Sequence, residues 1–486
     1  MGWFDAGDYE LARQVLERGV AAAYLVAYCS TLAQFPALLG ERGLQPAPSF
    51  IRWMGDRLSP TLFRRRYSDR LLKTVAATGA AISACLVAGL PQLAGSWAPM
   101  IAFLAIWLGY LSIVDIGQTF YGFGWETLLL ESGFVVAFLG ANDQAPPIVI
   151  IVFVRWLVFR LEFGAGLIKL RGDRSWRDLT ALYYHHETQP MPGPLSWYFH
   201  HLPRWVHRVE ALGNHVAQLI VPFFLFAPQP VSSVAAAIVI VTQLWLVASG
   251  NFAWLNVLTI VLAFSGISDP VVHAVIPAMP AHTDHVVTPL WFFVVVVVVG
   301  ILLLGLSWPP LRNLFSRRQL MNASFNRWHL VNAYGAFGSV TKQRFEVIVE
   351  ATDSYDASAV WREYEFRGKP GDPARMPRQF APYHLRLDWL MWFLALGSRG
   401  EDWFQPLLQK LLRADPATLR MLRSAPFGTR APAMVRASLY LYRFSTRQER
   451  REQHVWWVRR RVAELVPPVR LPEGAASGRD EHGPAE

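Results

Sequence analysis

Residues 286–306 have the sequence VVTPLWFFVVVVVVGILLLGL, which contains no charged side chain. An α-helix rises about 1.5 Å per residue, so a helix of about 20 apolar residues crosses the hydrocarbon core of a bilayer. The β-branched run from Val294 to Val299 is too apolar for a water-exposed surface. This stretch therefore predicts a transmembrane helix and places the chain among integral membrane proteins.

The rest of the chain repeats this pattern. Hydrophobic residues make up 53% of the sequence, and the mean hydropathy of +0.23 is too high for a set of soluble domains. Further apolar stretches lie near 18–39, 74–94, 97–117, 120–140, 147–170, 212–228, 231–249 and 251–267. The fold class predicted is an α-helical polytopic membrane bundle of about nine spans, followed by a small soluble α+β domain.

The composition changes after Pro309, where polar residues and strand patterns begin. Alternating apolar positions over 345–349 and 361–366 predict a β-hairpin, and 434–444 predicts another strand. Asp388 is the predicted N-cap of an amphipathic helix. We divide the chain into a first span with a basic arm (1–73), the transmembrane bundle (74–307), the soluble domain (308–466) and a disordered tail (467–486).

Basic residues are unevenly distributed among the loops. They cluster after the first, fifth and ninth predicted spans, whereas the loops near 95–96, 141–146, 228–230 and 268–285 contain no Lys or Arg. By the positive-inside rule, nine spans put the N-terminus outside and the C-terminal domain in the cytoplasm. The net charge of +10 suits anionic headgroups. We therefore expect membrane lipids as partners and no nucleic acid.

Ionisable side chains inside the predicted spans are candidates for function, because each costs about 2.5–3.5 kcal/mol to insert. They are Asp115, Glu126, Glu131, Arg155, Arg160, Glu162 and Lys169. Arg155, Glu162 and Lys169 follow one another at seven-residue intervals and so share one helix face. One hypothesis pairs the arginines with the carboxylates and lets Lys169 reach the interface. The other makes this face a buried catalytic site with Lys169 as the base.

The loop after the fifth predicted span is rich in histidine. Its candidates are His185, His186, Glu187, His200, His201 and His207, with His215 at the start of the next span. Such residues can bind zinc, but their spacing matches no HExxH motif. An aromatic-rich interfacial loop often holds histidine without metal, so we expect no metal site. The sequence also lacks the GxSxG, GxxxxGK[ST] and GxGxxG signatures.

Several motifs resemble the lipase maturation factor family. They are YGFGWETLLLESGF (121–134), KLRGD (169–173), YHHETQP (184–190), NAYG (332–335), WREYEF (361–366), KPG (369–371) and LDW (387–389). The resemblance extends from about residue 18 to 465. Animal members are endoplasmic reticulum membrane proteins that help dimeric secreted lipases, such as lipoprotein lipase, to fold and assemble.

This resemblance implies a folding or assembly factor for secreted client proteins. Such a factor requires no cofactor. In that family the C-terminal domain meets the client on the lumenal side, opposite to the side that the charge rule gives here. The implied client-contact residues are Trp361, Glu363, Glu365, Asp388 and Trp389. The excess of Arg over Lys is typical of GC-rich bacterial genes, so the implied location is a plasma membrane in a bacterium and the endoplasmic reticulum in animal relatives.

A shorter segment is similar to the vitamin K-dependent gamma-glutamyl carboxylase and its bacterial relatives. It comprises 165–170, followed by Asp173 and Trp176. In those enzymes the lysine before the leucine is the base that acts on a hydroquinone. This similarity implies an alternative function, a membrane enzyme for a quinone-like or lipid substrate with Lys169 as base. The longer resemblance favours a maturation factor that is not an enzyme.

Overall fold

The computed structural model describes residues 4–277, 286–356, 358–397 and 402–472. The chain divides into two compact units. We call the first the membrane unit (Met1–Ala33, Ala47–Lys342 and Gln379–His384) and the second the sheet unit (Gln34–Pro46, Gln343–Arg378 and Leu385–Glu486).

The first fifteen helices belong almost entirely to the membrane unit. They are α1 Glu10–Leu38, α2 Ala47–Met54, α3 Asp69–Val87, α4 Trp97–Asp115, α5 Gly124–Val136, α6 Ile148–Arg171, α7 Arg174–Arg177, α8 Leu182–Thr188, α9 Ser196–His200, α10 Arg204–Leu219, α11 Val231–Ser249, α12 Leu255–Ala263, α13 Asp269–Val275, α14 Leu290–Leu306 and α15 Trp308–Phe315. The polyvaline stretch Val294–Val299 lies in α14, as predicted.

Six helices among the described residues are long and apolar enough to cross a membrane. They are Gly7–Leu38, Asp69–Val87, Trp97–Asp115, Arg204–Phe226, Val231–Ser249 and Leu290–Phe315. A seventh is possible if Leu255–Gly266 and Asp269–Val275, which meet at a bend of 99°, form one broken span. The protein is therefore a multi-pass helical membrane protein, but the predicted count of about nine spans is not confirmed.

Two of the predicted spans explain the difference. Residues 120–140 form only the 13-residue helix α5, which at about 1.5 Å per residue is too short to cross the hydrocarbon core. Residues 147–170 do form a long helix, α6, but it holds four buried charged side chains, Arg155, Arg160, Glu162 and Lys169. Its polarity comes from these four side chains, whose partners lie inside the protein.

An ion pair between Arg160 and Glu131 joins α6 to α5. The two side chains are 2% and 1% exposed. The same carboxylate accepts hydrogen bonds from the Asn332 backbone N–H at 2.9 Å and the Tyr334 hydroxyl at 2.8 Å. Arg160 in turn donates to the Asn332 carbonyl oxygen at 2.6 Å. Both charges are thus compensated, as a buried pair requires.

The other predicted intramembrane charges find different partners. Arg155 donates to the Ser265 carbonyl oxygen at 2.9 Å and lies 5.0 Å from the centre of the Tyr9 ring. The Tyr110 hydroxyl donates to Glu126 at 2.5 Å. Asp115 lies 3.2 Å from the His329 Nε2 atom. The hypothesis that both arginines pair with these carboxylates therefore describes Arg160 but not Arg155, whose partners are a carbonyl group and an aromatic ring.

The sheet unit contains one antiparallel sheet in the strand order β2-β1-β3-β4. Its strands are β1 Arg344–Thr352, β2 Arg362–Glu363, β3 Met434–Phe444 and β4 Trp457–Val469, and its helices are α16 Arg386–Ala395, α17 Phe404–Leu412, α18 Pro416–Leu419 and α19 Arg447–Gln453. This small sheet domain follows the predicted class, and β1 and β2 form the predicted hairpin through the pair Glu350 and Glu363.

Two details of the sheet unit differ from the sequence analysis. Helix α16 begins at Arg386, and its N-cap residue is Leu385. Asp388 lies inside the first turn, where its carboxylate accepts hydrogen bonds from the Gly368 and Lys369 backbone N–H groups. Strand β4 continues to Val469, beyond the start of the tail predicted at 467, and residues 473–486 of that tail lie outside the described residues.

Candidate functional site

A cavity of about 750 Å³ lies within the membrane unit, between α6, α8, α10, α11 and α12. Its wall is mostly apolar, and Leu161, Val216, Ile238 and Leu246 are among the lining residues. The polar side chains at the wall include Glu162, Lys169, His185, His186, Glu210, Asn214, Gln218 and Gln243. Predominantly apolar walls with a few polar groups are typical of small-molecule sites.

The cavity opens between α10 and α11. Val209, Leu212 and Val241 line it and are 60%, 53% and 65% exposed. Both helices belong to candidate membrane spans. Exposed apolar side chains on such helices face hydrocarbon in a bilayer, so the opening is suited to apolar molecules that arrive from the membrane.

A chain of hydrogen bonds crosses the cavity wall and links Lys169 to Glu162. The Lys169 ammonium donates to the Asn214 and Gln218 side-chain oxygens, each at 2.9 Å. The Gln218 amide then donates to Glu162 at 3.1 Å. Gln243 donates to the other oxygen of Glu162 at 2.5 Å. The charges are therefore connected through an amide rather than by direct contact.

Helix geometry explains which residues of the predicted polar face meet at the cavity. Glu162 and Lys169 are two turns apart on α6, and both line the cavity. Arg155 is two further turns away and does not line it. Lys169 is only 5% exposed and lies 4.7 Å from the centre of the Trp176 ring. The hypothesis that Lys169 reaches the membrane interface is therefore wrong, because its ammonium is held inside the protein.

The histidine loop does not converge on one point. His185 and His186 line the cavity, whereas the His215 Nε2 atom lies 3.0 Å from the Trp176 carbonyl oxygen. His201 contacts the Trp197 carbonyl oxygen at 2.7 Å. His200 lies 3.6 Å from Glu187. Each of these last two histidines thus has a local contact away from the cavity wall.

Burial also sets the charge state of two of these rings. It lowers the pKa of His185 to about 3, and it lowers the pKa of His200 to about 3 as well. Desolvation disfavours the charged imidazolium. Both rings are therefore neutral near pH 7.

A further group brings together His186, His207 and Glu210. One ligand atom from each residue lies within 4.8 Å of the others. His186 and His207 are among the candidates predicted from the sequence, and Glu210, which lies between His207 and His215, is not. The spacing of His207 and Glu210, three residues apart on α10, places them on one helix face and was the signal that could have found this group.

The client-contact residues implied by the resemblance fall into two sets. Trp361, Glu363 and Glu365 are partly exposed, and the two carboxylates pair with Arg459 at 2.6 Å and Arg375 at 3.0 Å. Asp388 and Trp389 are 2% and 3% exposed. Those two side chains are buried in the sheet unit and are not available to a client in this conformation.

Candidate spanning helices around a mostly apolar cavity, together with a C-terminal antiparallel sheet, define a multi-pass helical membrane protein with a small sheet domain. Residues 11–274 match the family model described as the lipase maturation factor transmembrane domain, and residues 330–467 match the lipase maturation factor C-terminal domain. The chain belongs to the lipase maturation factor family.

Curated relatives agree over nearly the whole length. The chain is 40% identical to lipase maturation factor 1 of Homo sapiens, covering 98% of this chain and 91% of that protein. It is 39% identical to lipase maturation factor 1 of Bos taurus over 96% and 90% of the two chains. It is 28% identical to lipase maturation factor 2 of Homo sapiens over 95% and 83%. No solved structure matches.

Proposed function

We propose that this chain is a membrane-bound factor that assists the folding and assembly of secreted client proteins such as lipases. The observation that carries the proposal is the 40% identity to a protein named lipase maturation factor 1, which extends over 98% of this chain. It includes both the membrane unit and the sheet unit. A shared role for both units is the simplest reason for a relationship that extends along the whole chain.

The sheet unit offers a surface suited to an extended client segment. Strand β4 is the last strand of the sheet among the described residues. An edge strand presents backbone N–H and C=O groups that can pair with another chain. Val462 and Leu465 on this strand are 48% and 44% exposed. We propose β4 as a client contact, together with Trp361, Glu363 and Glu365.

The proposed function also bears on location. A factor for secreted clients acts in a membrane that those clients cross, which is the plasma membrane in a bacterium and the endoplasmic reticulum in animal relatives. The client is then met on the far side of that membrane. We infer that the sheet unit lies on the lumenal or external side, as the family resemblance implies. The opposite assignment from loop charges depended on a count of nine spans.

The enzyme hypothesis gains no support from the relatives reported above, all of which are named as maturation factors. The Lys169 ammonium already donates to two side-chain oxygens in the cavity wall. We therefore assign Lys169, Glu162 and Gln218 the role of holding the cavity wall together. No catalytic step is proposed for them.

Co-purification tests the client surface. The full-length chain would be co-expressed with lipoprotein lipase as client, and the double variant Val462→Glu, Leu465→Glu should recover at least fivefold less lipase. Charged side chains at these positions disfavour pairing of an apolar segment with the edge. A matched control is Tyr355→Glu, which changes a 65% exposed side chain elsewhere in the same unit. Equal recovery by the double variant, the control and the parent would argue against the β4 contact.

A further inference from the structure

We propose that His186, His207 and Glu210 form a binding site for a divalent first-row metal ion, with zinc as the ion that best suits these ligands. This inference concerns the membrane unit and does not depend on the proposed client function. Two histidines and one glutamate are an established zinc ligand set. They occur here on two helices that the fold brings together, with His186 on α8 and the other two residues on α10.

The distances between the ligand atoms fit a shared metal ion. The Glu210 Oε2 atom lies 3.7 Å from His186 Nε2 and 3.6 Å from His207 Nδ1. Both distances are longer than a good hydrogen bond. Two ligand atoms bound to one zinc ion at about 2.0–2.2 Å in tetrahedral geometry are about 3.3–3.6 Å apart. The spacing thus fits a shared ion better than direct hydrogen bonds.

The ligand atoms of the three side chains are also buried. His186 and His207 are 1% and 2% exposed, and the Glu210 side chain is 15% exposed. In the part of the chain that the structure describes, the three facing atoms, His186 Nε2, His207 Nδ1 and Glu210 Oε2, are buried and have no hydrogen-bond partner. A buried polar atom without a partner costs about 1–3 kcal/mol. One metal ion would satisfy all three atoms.

Neighbouring groups orient two of the ligands, Glu210 and His207. The Trp245 indole N–H donates to the Glu210 Oε1 atom at 2.7 Å, which leaves Oε2 directed at the histidines. The His207 Nε2 atom lies 3.4 Å from the His200 carbonyl oxygen. An N–H at Nε2 leaves a lone pair on Nδ1 for the ion. Metal-bound histidine almost always donates its other ring N–H in this way.

The chemistry of the site follows from the number of ligands. Structural zinc sites usually have four protein ligands, whereas three protein ligands leave one coordination position open. His186 and Glu210 both line the cavity, so the open position faces it. A water molecule or an anionic group of a molecule in the cavity would complete the coordination. The spacing of these residues along the chain matches no metal motif, because the ligands come from two different helices.

Metal analysis of the purified full-length protein tests this proposal. The protein would carry a purification tag without histidine, be equilibrated in detergent with a zinc buffer, and be analysed by mass spectrometry for zinc per chain. We expect one zinc per parent chain. His207→Gln and Glu210→Gln should each retain at least tenfold less zinc at the same free zinc concentration, because each removes a ligand.

The matched control is His201→Gln, which changes a histidine of the same region whose ring contacts the Trp197 carbonyl oxygen instead. It should keep the zinc content of the parent. A parent protein with less than a tenth of a zinc per chain would overturn the proposal, and so would undiminished zinc in His207→Gln.

A second measurement decides the matter if the ligand variants do not fold. Cobalt added to the metal-free parent should give the intense visible absorption of a four-coordinate ion, saturating at one equivalent. Weak absorption typical of hexahydrated cobalt, without saturation at one equivalent, would contradict the site.

Discussion

At the residue scale, the sequence identified the charged side chains and offered Glu131 among the partners of Arg160, but it did not identify their uncharged partners. The cost of placing ions in hydrocarbon singled out Glu131, Arg160, Glu162 and Lys169, and the structure buries all four. Besides the ion pair between Arg160 and Glu131, their partners are uncharged residues far away in sequence, such as Asn332 for Glu131 and Gln218 for Lys169. An amide lowers the local hydropathy but does not indicate which charged side chain it contacts. The composition of the network was therefore not predictable from sequence alone.

The Arg160 and Glu131 pair gives a prediction at this scale. Arg160→Met should lower the free energy of unfolding by about 3–5 kcal/mol, because it leaves a buried carboxylate without its cation. The double variant Arg160→Met, Glu131→Gln should recover much of the loss, since it removes both charges. Unfolding in mixed detergent micelles measures these differences.

The control for this cycle is Arg174→Met, which breaks an exposed pair with Asp178 whose side chains are 81% and 49% exposed. Exposed pairs contribute about 0–1 kcal/mol, so this variant should stay close to the parent. A loss in Arg160→Met no larger than in the control would show that the buried pair is not needed for stability.

At the element scale, the long apolar helices were predictable and their packing was not. Residues 231–249 were predicted as a span from hydropathy and form α11 with the same bounds. The 212–228 span instead begins at Arg204, because the polar first turns of α10 are stabilised by contacts with other helices. In these first turns of α10, His207 and Glu210 face α8. A hydropathy pattern along the chain does not show contacts between helices.

Glycine packing provides a test at the element scale. A Cβ atom added to Gly164 on α6 would lie 2.5 Å from the Tyr334 carbonyl oxygen. Backbone cannot move aside as a flexible side chain can, so Gly164→Ala should destabilise the protein by about 1–3 kcal/mol. Thermal unfolding in detergent, read by intrinsic tryptophan fluorescence, is the measurement.

The matched change is Gly213→Ala on α10, where an added Cβ meets nothing within 4 Å. Alanine is favoured over glycine inside a helix by about 0.5–1 kcal/mol, so this variant should be as stable as the parent or more so. If the two alanine variants unfolded at the same temperature, the close approach of α6 to the Tyr334 backbone would be refuted.

At the scale of the whole molecule, the family and the two-part organisation were predictable, while the number of spans was not. The motif 121–134 lies in the membrane unit and the motif 361–366 lies in the sheet unit. Both supported the family resemblance. The predicted count of about nine spans is not confirmed, and the candidate spans differ from the prediction at the short α5 and the charged α6. The orientation from loop charges depends on the number of spans, because successive loops alternate between the two sides of the membrane.

A cysteine-labelling experiment tests the orientation. Cys29 and Cys85 are free and exposed, so both would first be replaced by alanine, and Ser354→Cys and His282→Cys would then be made separately. Position 282 lies outside the described residues. In a bacterial plasma membrane, the proposed function predicts that an impermeant thiol reagent labels position 354 in intact cells and not 282. Labelling of 282 alone would support the orientation from loop charges.

The measurement that tests the central proposal most directly is rescue of lipase maturation. Animal cells lacking their own maturation factor would express lipoprotein lipase together with this chain, directed to the endoplasmic reticulum. We predict at least a fivefold rise in enzyme activity per mass of secreted lipase, and a matching rise in the dimer fraction, relative to cells without the chain. A folded chain, present at normal levels in that membrane, that leaves both quantities unchanged would contradict the proposed function.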